Sequence, residues 1–499
     1  MTSIPSLSVG DVSLQKYAGE VEIKRLMFEG GHGVFHIHSI DGPLEQILIY
    51  ENLFRQTLTA EIKIIDGRAI TEQIPLIGME RLHVTYKIPQ EREEVNLTFR
   101  VIDVRDRTPS EGAQTAQSFI VDLVSEERMM NAYQRVSKAF IDPVSTIVEK
   151  IYDEYLDTGK RGITVFSGVG AGAKIGTRNP KFIAEETLGN IHYVAPNIHP
   201  FDIISNLSQY ALSAKDKSTI FCFYENANGF HYDSIHTLFQ KPALNPNKPY
   251  TYGFRNFDRS AVSEHMMIME GMIIQNSFPN SLNALKEGQY GASLYTHDIY
   301  NKKINNGTNE GLTEYNYLDE FDSVSHTSYD LSPTAANRRT YETLPIGGSK
   351  IHATQLGSSH LSRLDKAKKS HIEVYPKHSA MHGPVAIQQS VFSAPNFNVN
   401  DIALHRNSQK KQIEAFRISA RVAGHPLLMV GECINVNVQS FIPSDTYVIN
   451  EILSGKYLII EAVHHFNHTY YHCDLTLIKD SSGVSLDTIQ LGAEELMTD

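Results

Sequence analysis

Several groups of residues in this chain have types and spacings that could do chemistry. His464, His468 and His472 recur every fourth residue and run into Cys473 and Asp474. On a helix that spacing sets three imidazoles on one face, as a zinc site requires. The glutamate of the H-E-x-x-H motif is missing, because His465 stands in its place. The surrounding residues alternate as a strand pair with a turn near Asn467, which spreads the histidines over different strands. His32, His36 and His38 sit in GGHGVFHIHS, where alternation with Phe35 and Ile37 makes a strand face the default reading.

Other patterns fail on context. Gly168, Gly170 and Ala173 satisfy a loose G-x-G-x-x-G/A dinucleotide pattern after ITVF. That fingerprint needs a helix to open there, and Gly176 and Pro180 occupy its place, so the segment reads as a loop. No G-x-S-x-G nucleophile elbow occurs in the chain. The carboxylate pairs Glu126-Glu127 and Glu185-Glu186 fall on expected helices, where adjacent residues do not face one another as an acid/base pair must. No catalytic, cofactor-binding or metal-ligating residue is therefore assigned, and no cofactor is expected. The absence of Trp removes the best platform for stacking sugars, although 24 Tyr could substitute.

These residues must be positioned by a chain of 499 residues, long enough for three or four domains. A hydrophobic fraction of 41% and a charged fraction of 20% are those of a globular protein. Three widely spaced cysteines (Cys222, Cys433 and Cys473) fit a reducing compartment. A net charge of −12 argues against a general nucleic-acid-binding surface. The MTSIPSLSVGD start lacks the basic and apolar regions of a secretory signal, and no apolar run is long enough to cross a bilayer. A soluble protein with no membrane partner is expected.

Residues 14–125 read as β-structure. Leu58, Ala60, Ile62 and Ile64 alternate with Thr57, Thr59, Glu61 and Lys63; Leu82, Val84, Tyr86 and Ile88 form a second apolar face. Val95, Leu97, Phe99 and Val101 continue the pattern, as do Phe119, Val121 and Leu123. Residues 126–238 read as a mixed α/β domain. One helix starts at Asp142-Pro143 and stops at Gly159, a second starts at Pro200, and two strands flank a turn at Asn226–Gly229. Residues 239–300 and 408–482 read as β again, with Ile434, Val436 and Val438 alternating and a hairpin through YLIIEAVHHFN and TYYHCDLTLIKD. Residues 301–407 are polar and weakly periodic, as expected of an insertion domain, and 483–499 form a tail. The fold class is α+β and β-dominated. The two β regions echo each other: Pro75-Leu76 leads through Gly78 to Glu80, and Pro426-Leu427 through Gly431 to Glu432, with a Gly-to-Glu spacing that differs by one residue.

Ordered stretches of the chain resemble the baseplate hub proteins of contractile-tailed bacteriophages, relatives of the hub portion of type VI secretion VgrG spikes. ILIYENLFRQTLTAEIKIIDGRAITEQIPLIGMERLHVTYKIP looks like the family's first tube domain. LVSEERMMNAYQRVSKAF, YVAPNIHPFDIISNLSQYA and FCFYENANGFHYDSIHTL look like its middle domain. GQYGASLYTHDIYNKKI and NYLDEF resemble the section leading into the insertion, and LLMVGECINVNV with LSGKYLIIEAVHHF and CDLTLIKDSS the second tube domain. The likeness covers most of residues 40–482 and leaves 306–406 poorly matched.

The resemblance implies two tube-type β-barrel domains per chain. As a homotrimer they would form a pseudo-hexameric ring between a tail tube protein and a separate central spike protein, next to other baseplate wedge proteins. The ring would surround the channel through which DNA passes without specific binding. Such a protein is non-enzymatic, assembles in the host cytoplasm and resides in the virion tail baseplate. The 17 residues after Ser482 are too few for a fused spike. A cell-wall (peptidoglycan) hydrolase and a carbohydrate-binding receptor of the tail tip are the alternative readings; neither finds a carboxylate pair, metal site or tryptophan platform here.

Overall fold

The computed structural model describes residues 18–30, 33–37, 44–67, 76–89, 94–109, 116–157, 163–167, 174–178, 182–215, 218–253, 265–276, 291–298, 303–304, 312–316, 371–376, 402, 406, 409–410, 413, 416–441, 448–450, 452–467 and 470–479. The N-terminal region supplies β1 (Glu22–Gly30), β2 (Gly33–His36), β3 (Leu44–Asn52), β4 (Thr59–Asp66), β5 (Arg81–Lys87), β6 (Val95–Pro109) and β7 (Gln117–Ser125). The apolar alternation does what the pattern predicts: Ala60, Ile62, Ile64, Leu82, Val84, Phe99, Val101, Phe119, Val121 and Leu123 are all buried.

The middle region alternates helices and short strands. α1 (Glu126–Tyr133), β8 (Ala139–Pro143) and α2 (Val144–Ile151) come first, and a π-helical turn Tyr152–Leu156 extends α2. β9 (Ile163–Ser167) and β10 (Lys174–Arg178) form a hairpin; β11 (Ile183–Ala184), β12 (Asn190–Val194), α3 (Pro200–Ser208), β13 (Phe221–Asn226), β14 (Gly229–Ser234) and α4 (Ile235–Gln240) follow. Pro143 and Pro200 open their helices as expected, since a missing N–H costs nothing in the first turn. Ile147, Tyr152, Phe201, Leu207, Phe223 and Tyr232 belong to a core separate from that of the β regions.

The C-terminal region supplies β15 (Tyr250–Tyr252), β16 (Met269–Asn276), β17 (Gly291–Asp298), β18 (Lys303–Ile304), β19 (Leu312–Asn316), β20 (His371–Pro376), β21 (Phe416–Ala423), β22 (Cys433–Val438), β23 (Gly455–Asn467) and β24 (Tyr471–Lys479). β17 joins β18, β19 and β20 in a small sheet, and most of 301–407 lies outside the described residues. The protein is β-dominated, with one large antiparallel sheet and few helices. That sheet runs β16-β21-β24-β23-β3-β4-β7-β6-β5-β1-β2, with β22 and β15 branching from β23. Both β regions share one apolar core beneath it.

Candidate functional site

Within the large sheet one five-stranded module occurs twice. In module 1 the strands lie in the order β3-β4-β7-β6-β5; in module 2 the order is β16-β21-β24-β23-β22, the same permutation of chain order with the same antiparallel pairings. The irregularities match as well. β6 bulges at Ile102 opposite Leu123/Asp122, and β23 bulges at Ile460 opposite Leu477/Thr476. β3 bulges at Glu45 and β16 at Glu270. A bulge is a local device that chance does not place twice at one position of a fold.

The same correspondence explains the uneven echo in the sequence. Met79 N donates to Val101 O (2.9 Å) and Val101 N to Glu80 O (2.9 Å), while Gly431 N donates to Ile459 O (3.0 Å) and Ile459 N to Glu432 O (2.9 Å). Gly431 is therefore the counterpart of Met79, not of Gly78, and both hold a positive φ, 86° and 74°. A left-handed Met costs about 1–2 kcal/mol relative to Gly, so the turn is kept in module 1 at some expense.

The modules join head to tail through β23 and β3, which pair antiparallel from Glu461↔Asn52 to Asn467↔Gln46. Asn52 Nδ2 donates to Glu461 Oε1 across the seam at 2.7 Å. Beneath it Glu51 accepts from Val430 N at 2.9 Å and lies 3.8 Å from His464 Nε2, whose Nδ1 is 2.7 Å from Tyr471 Oη. Burial, reinforced by the charge of Glu225, pushes the Glu51 carboxyl up to about 8, and burial pulls His464 down to about 4. Both groups are neutral near pH 7, so neither of them adds a buried charge to the seam.

Above the seam the outer face of the sheet is polar and continuous across both modules. Lys63 meets Glu45 (2.9 Å); Arg105 meets Asp122 (2.8 Å) and Glu61 (3.2 Å). Arg417 meets Glu461 (3.7 Å), and Arg421 Nε meets Asp474 Oδ1 (2.6 Å). Each of these cations is answered by a carboxylate from an adjacent strand or, for Arg417, from the strand beyond it. Thr59, Glu61 and Lys63 lie on this half-exposed face, but Thr57, expected beside them, is buried ahead of β4.

The histidines fall as the strand reading requires. His464 and His465 are on β23 and His472 on β24; His468 lies outside the described residues. His465 and His472 stack with ring centroids 4.5 Å apart and planes 10° apart, and His465 Nε2 is 3.1 Å from Asp474 Oδ2. The nitrogens of these rings and an Asp474 oxygen lie close enough together to invite a metal. Parallel rings direct their lone pairs along parallel planes, so both cannot point at one ion as they stand. Burial works to raise Asp474, but the Arg421 fork outweighs it and holds the carboxyl below its usual range, committed to Arg421. Elemental analysis is expected to find no stoichiometric zinc; one zinc per chain, lost on replacing His465 and His472 by Ala, would overturn this.

The remaining candidates scatter. His32, His38 and the stretch from Gly168 to Ala173 lie outside the described residues, but the chain beyond Ala173 is strand β10 rather than a helix. Glu126 binds Arg81 and Arg100 from the first turn of α1. Glu185 and Glu186 are not helical, contrary to expectation: they follow β11, where Glu185 accepts from Ser234 N (2.7 Å) and from Ser213 Oγ, so a backbone amide and a side-chain hydroxyl hold the carboxylate outside any helical turn. The seam of Glu51 and His464 was not legible in the sequence, because its partners are more than four hundred positions apart.

The molecule is thus a β-dominated protein with a duplicated module and no assembled catalytic constellation among the described residues. No sequence family and no curated protein match the chain. Solved structures similar to it include the tail protein from Neisseria meningitidis MC58 (9% identity, 91% of this chain and 96% of that one, TM-score 0.44). The 43 kDa tail protein of prophage MuSo2 from Shewanella oneidensis is another (8%, 93% and 99%, 0.44). A third is the E. coli c3393 protein, a component of the type VI secretion system (9%, 93% and 78%, 0.38). Likenesses of this strength assign no function to this chain.

Proposed function

We propose that this protein is the structural hub of a contractile phage tail or of a phage-derived injection device, a homotrimeric ring that joins a tail tube to a separate spike and surrounds the DNA channel. The observation that carries this reading is the head-to-tail duplication. A heterologous contact between two like modules leaves the same two surfaces free at the ends of the pair, and repetition of that contact closes a ring or extends a filament. Three chains of two modules give six, the number a hexameric tail tube presents. In this reading each module curls into a tube-type barrel, and 301–407 forms an insertion on the outside.

The free surfaces carry the signature of interface. The counterpart of the junction strand β3 is β16, an edge strand of the sheet. The counterpart of the junction half of β23 is β6 beyond Val101, which among the described residues hydrogen-bonds as a strand only to β7. Ile460 and Met429 are buried at the junction (3% and 5% exposed), whereas their counterparts Ile102 and Ile77 are 48% and 83% exposed. On β16, Ile273 stands 67% exposed at the position that Leu48 holds in β3. Exposed apolar residues gathered on unpaired edges are what a soluble chain covers by assembly. Native mass spectrometry is expected to find three chains per particle; a monomer that persists when tube and spike partners are added would count against the ring.

In the ring the polar face becomes the channel wall. Its cations are tied to carboxylates, so few remain to neutralise phosphate, and affinity for DNA depends steeply on that number. The assembled ring is expected to bind duplex DNA negligibly near physiological salt. Glu61→Gln, Asp106→Asn, Asp122→Asn and Asp474→Asn together should release Arg105 and Arg421 and create salt-sensitive binding. Tight binding by the unmodified ring would sink the channel assignment.

A further inference from the structure

The two edges proposed to meet between chains share a feature that the strands of the intrachain junction lack. Along β23 and β3 the ladder is regular, and one residue on each strand separates Val463↔Tyr50 from His465↔Leu48. The counterparts of these four residues follow from pairings inside each module, with Leu123 and Leu477 as the common reference. Val463 and His465 face Asp474 and His472 on β24, as Arg105 and Thr108 face Ile120 and Ser118 on β7. Tyr50 and Leu48 face Thr59 and Glu61 on β4, as Asn276 and Ile273 face Arg417 and Ser419 on β21. Between its anchors β6 therefore holds two residues, Asp106 and Arg107, and β16 also holds two, Ile274 and Gln275. Each edge has gained one residue relative to its counterpart, at the same height of the junction. An insertion on one strand alone would slip the ladder and turn every later side chain to the other face. Matching insertions keep the register, with Arg105 opposite Asn276 and Thr108 opposite Ile273.

The turns beside these strands differ in a matching way. At the intrachain junction Val430 N donates to Glu51 of β3 (2.9 Å), while Glu432 in the same turn is engaged by Lys241 (3.0 Å). In module 1 the counterpart of Glu432 is Glu80, which accepts from Ile77 N and Gly78 N, each at 3.0 Å. Gly78 is the counterpart of Val430, so its amide already has a carboxylate from its own turn. β16 supplies none there: from Gly271 to Asn276 it reads GMIIQN. A strand without a carboxylate thus meets a turn that needs none.

We infer that β6 of one chain and β16 of the next pair antiparallel, from Arg105↔Asn276 to Thr108↔Ile273, with their two insertions side by side. The partner is a second copy of this chain, and the inference rests on the ring reading above. The ring alone would not fix that register, since the same edges can meet one or two residues out of step.

Thr108→Cys with Ile273→Cys in the full chain tests the register, because directly opposed residues of an antiparallel pair lie within disulfide reach. Both positions are exposed in the single chain, and the three native cysteines are buried. Under mild oxidation most of the protein is expected to run as a covalent trimer on a non-reducing gel, and as single chains after reduction. Co-expressed single variants should give linked pairs and no covalent trimer. Thr108→Cys with Gln275→Cys, two residues out of register, should link several-fold more slowly. Leu48→Cys with His465→Cys is the equivalent pair inside the chain and serves as the positive control. Deleting Arg107 alone should abolish the link between positions 108 and 273, and deleting Arg107 and Gln275 together should restore it. A native trimer in which the control or the slipped pair links, but positions 108 and 273 do not, would overturn this register and leave the ring standing. So would a link that survives deletion of Arg107 alone. A protein that stays monomeric would overturn both.

Discussion

If the chain assembles as the proposed trimer, Ile102→Asp or Ile273→Asp is expected to convert it to a folded monomer. Both side chains are substantially exposed in the isolated chain, at 48% and 67%, so the monomer loses little, on the order of 0.5 kcal/mol. In the ring each would be covered by a neighbouring copy, as Ile460 is covered within the chain. Loss of an apolar contact of about 1.5–3 kcal/mol combines with the larger penalty of a carboxylate that has no partner. The penalty recurs at every junction between chains, so a closed ring magnifies it. Val194→Asp serves as the control: Val194 is 70% exposed but lies on β12 of the middle region, away from either edge, and should leave the mass unchanged. If Ile102→Asp and Ile273→Asp both remain trimeric, the duplication does not direct assembly.

The second large effect concerns the seam. Glu51→Gln is expected to stabilise the chain above neutral pH and to flatten its stability-pH curve. The folded carboxyl sits at about 8 and an unfolded one near 4.5, so the folded state binds the extra proton between those values. Stability from this group is full below pH 4.5 and is lost as pH rises towards 8. The range corresponds to roughly 4–5 kcal/mol at 1.36 kcal/mol per pKa unit, an upper bound for a group whose surroundings can relax. His464 acts in the opposite sense: its pKa is lowered to about 4, so its contribution is present above pH 6.5 and lost as pH falls towards 4. The two senses overlap only on the acid side, which leaves the alkaline limb to Glu51. Gln keeps an oxygen for Val430 N and carries no proton to lose, whereas Glu51→Ala orphans that amide and should destabilise at every pH. Thermal melts from pH 6 to 9 decide; a Gln variant that parallels the parent protein across that range would refute the assignment of a neutral Glu51.

The alternation of small apolar residues was enough to place most strands, because burial on one face of a sheet leaves a period of two in the sequence. Ala60 to Ile64, Leu82 to Tyr86 and Phe119 to Leu123 needed nothing more. The helices opening at Pro143 and Pro200 were legible for the same kind of local reason. β22 shows the limit of that signal: Ile434, Val436 and Val438 alternate as read, yet Cys433 and Asn435 are buried too. The segment around Asn245 covers their side, with Asn435 N donating to Asn245 Oδ1 at 2.7 Å, a contact no period can announce.

What the sequence determined by itself is thus local: which segments are strands and which residues face a core. Only the tertiary structure decided how the two β regions relate. Gly431 aligns with Met79 through backbone hydrogen bonds to Ile459 and Val101, whatever the side chains, so residue identity concealed the repeat that the backbone preserves. The seam of Glu51, His464 and Tyr471 likewise exists only once β3 meets β23. Local pattern records the environment of each residue on its own strand; pairing between distant strands is set by register and shape, which leave no period to read.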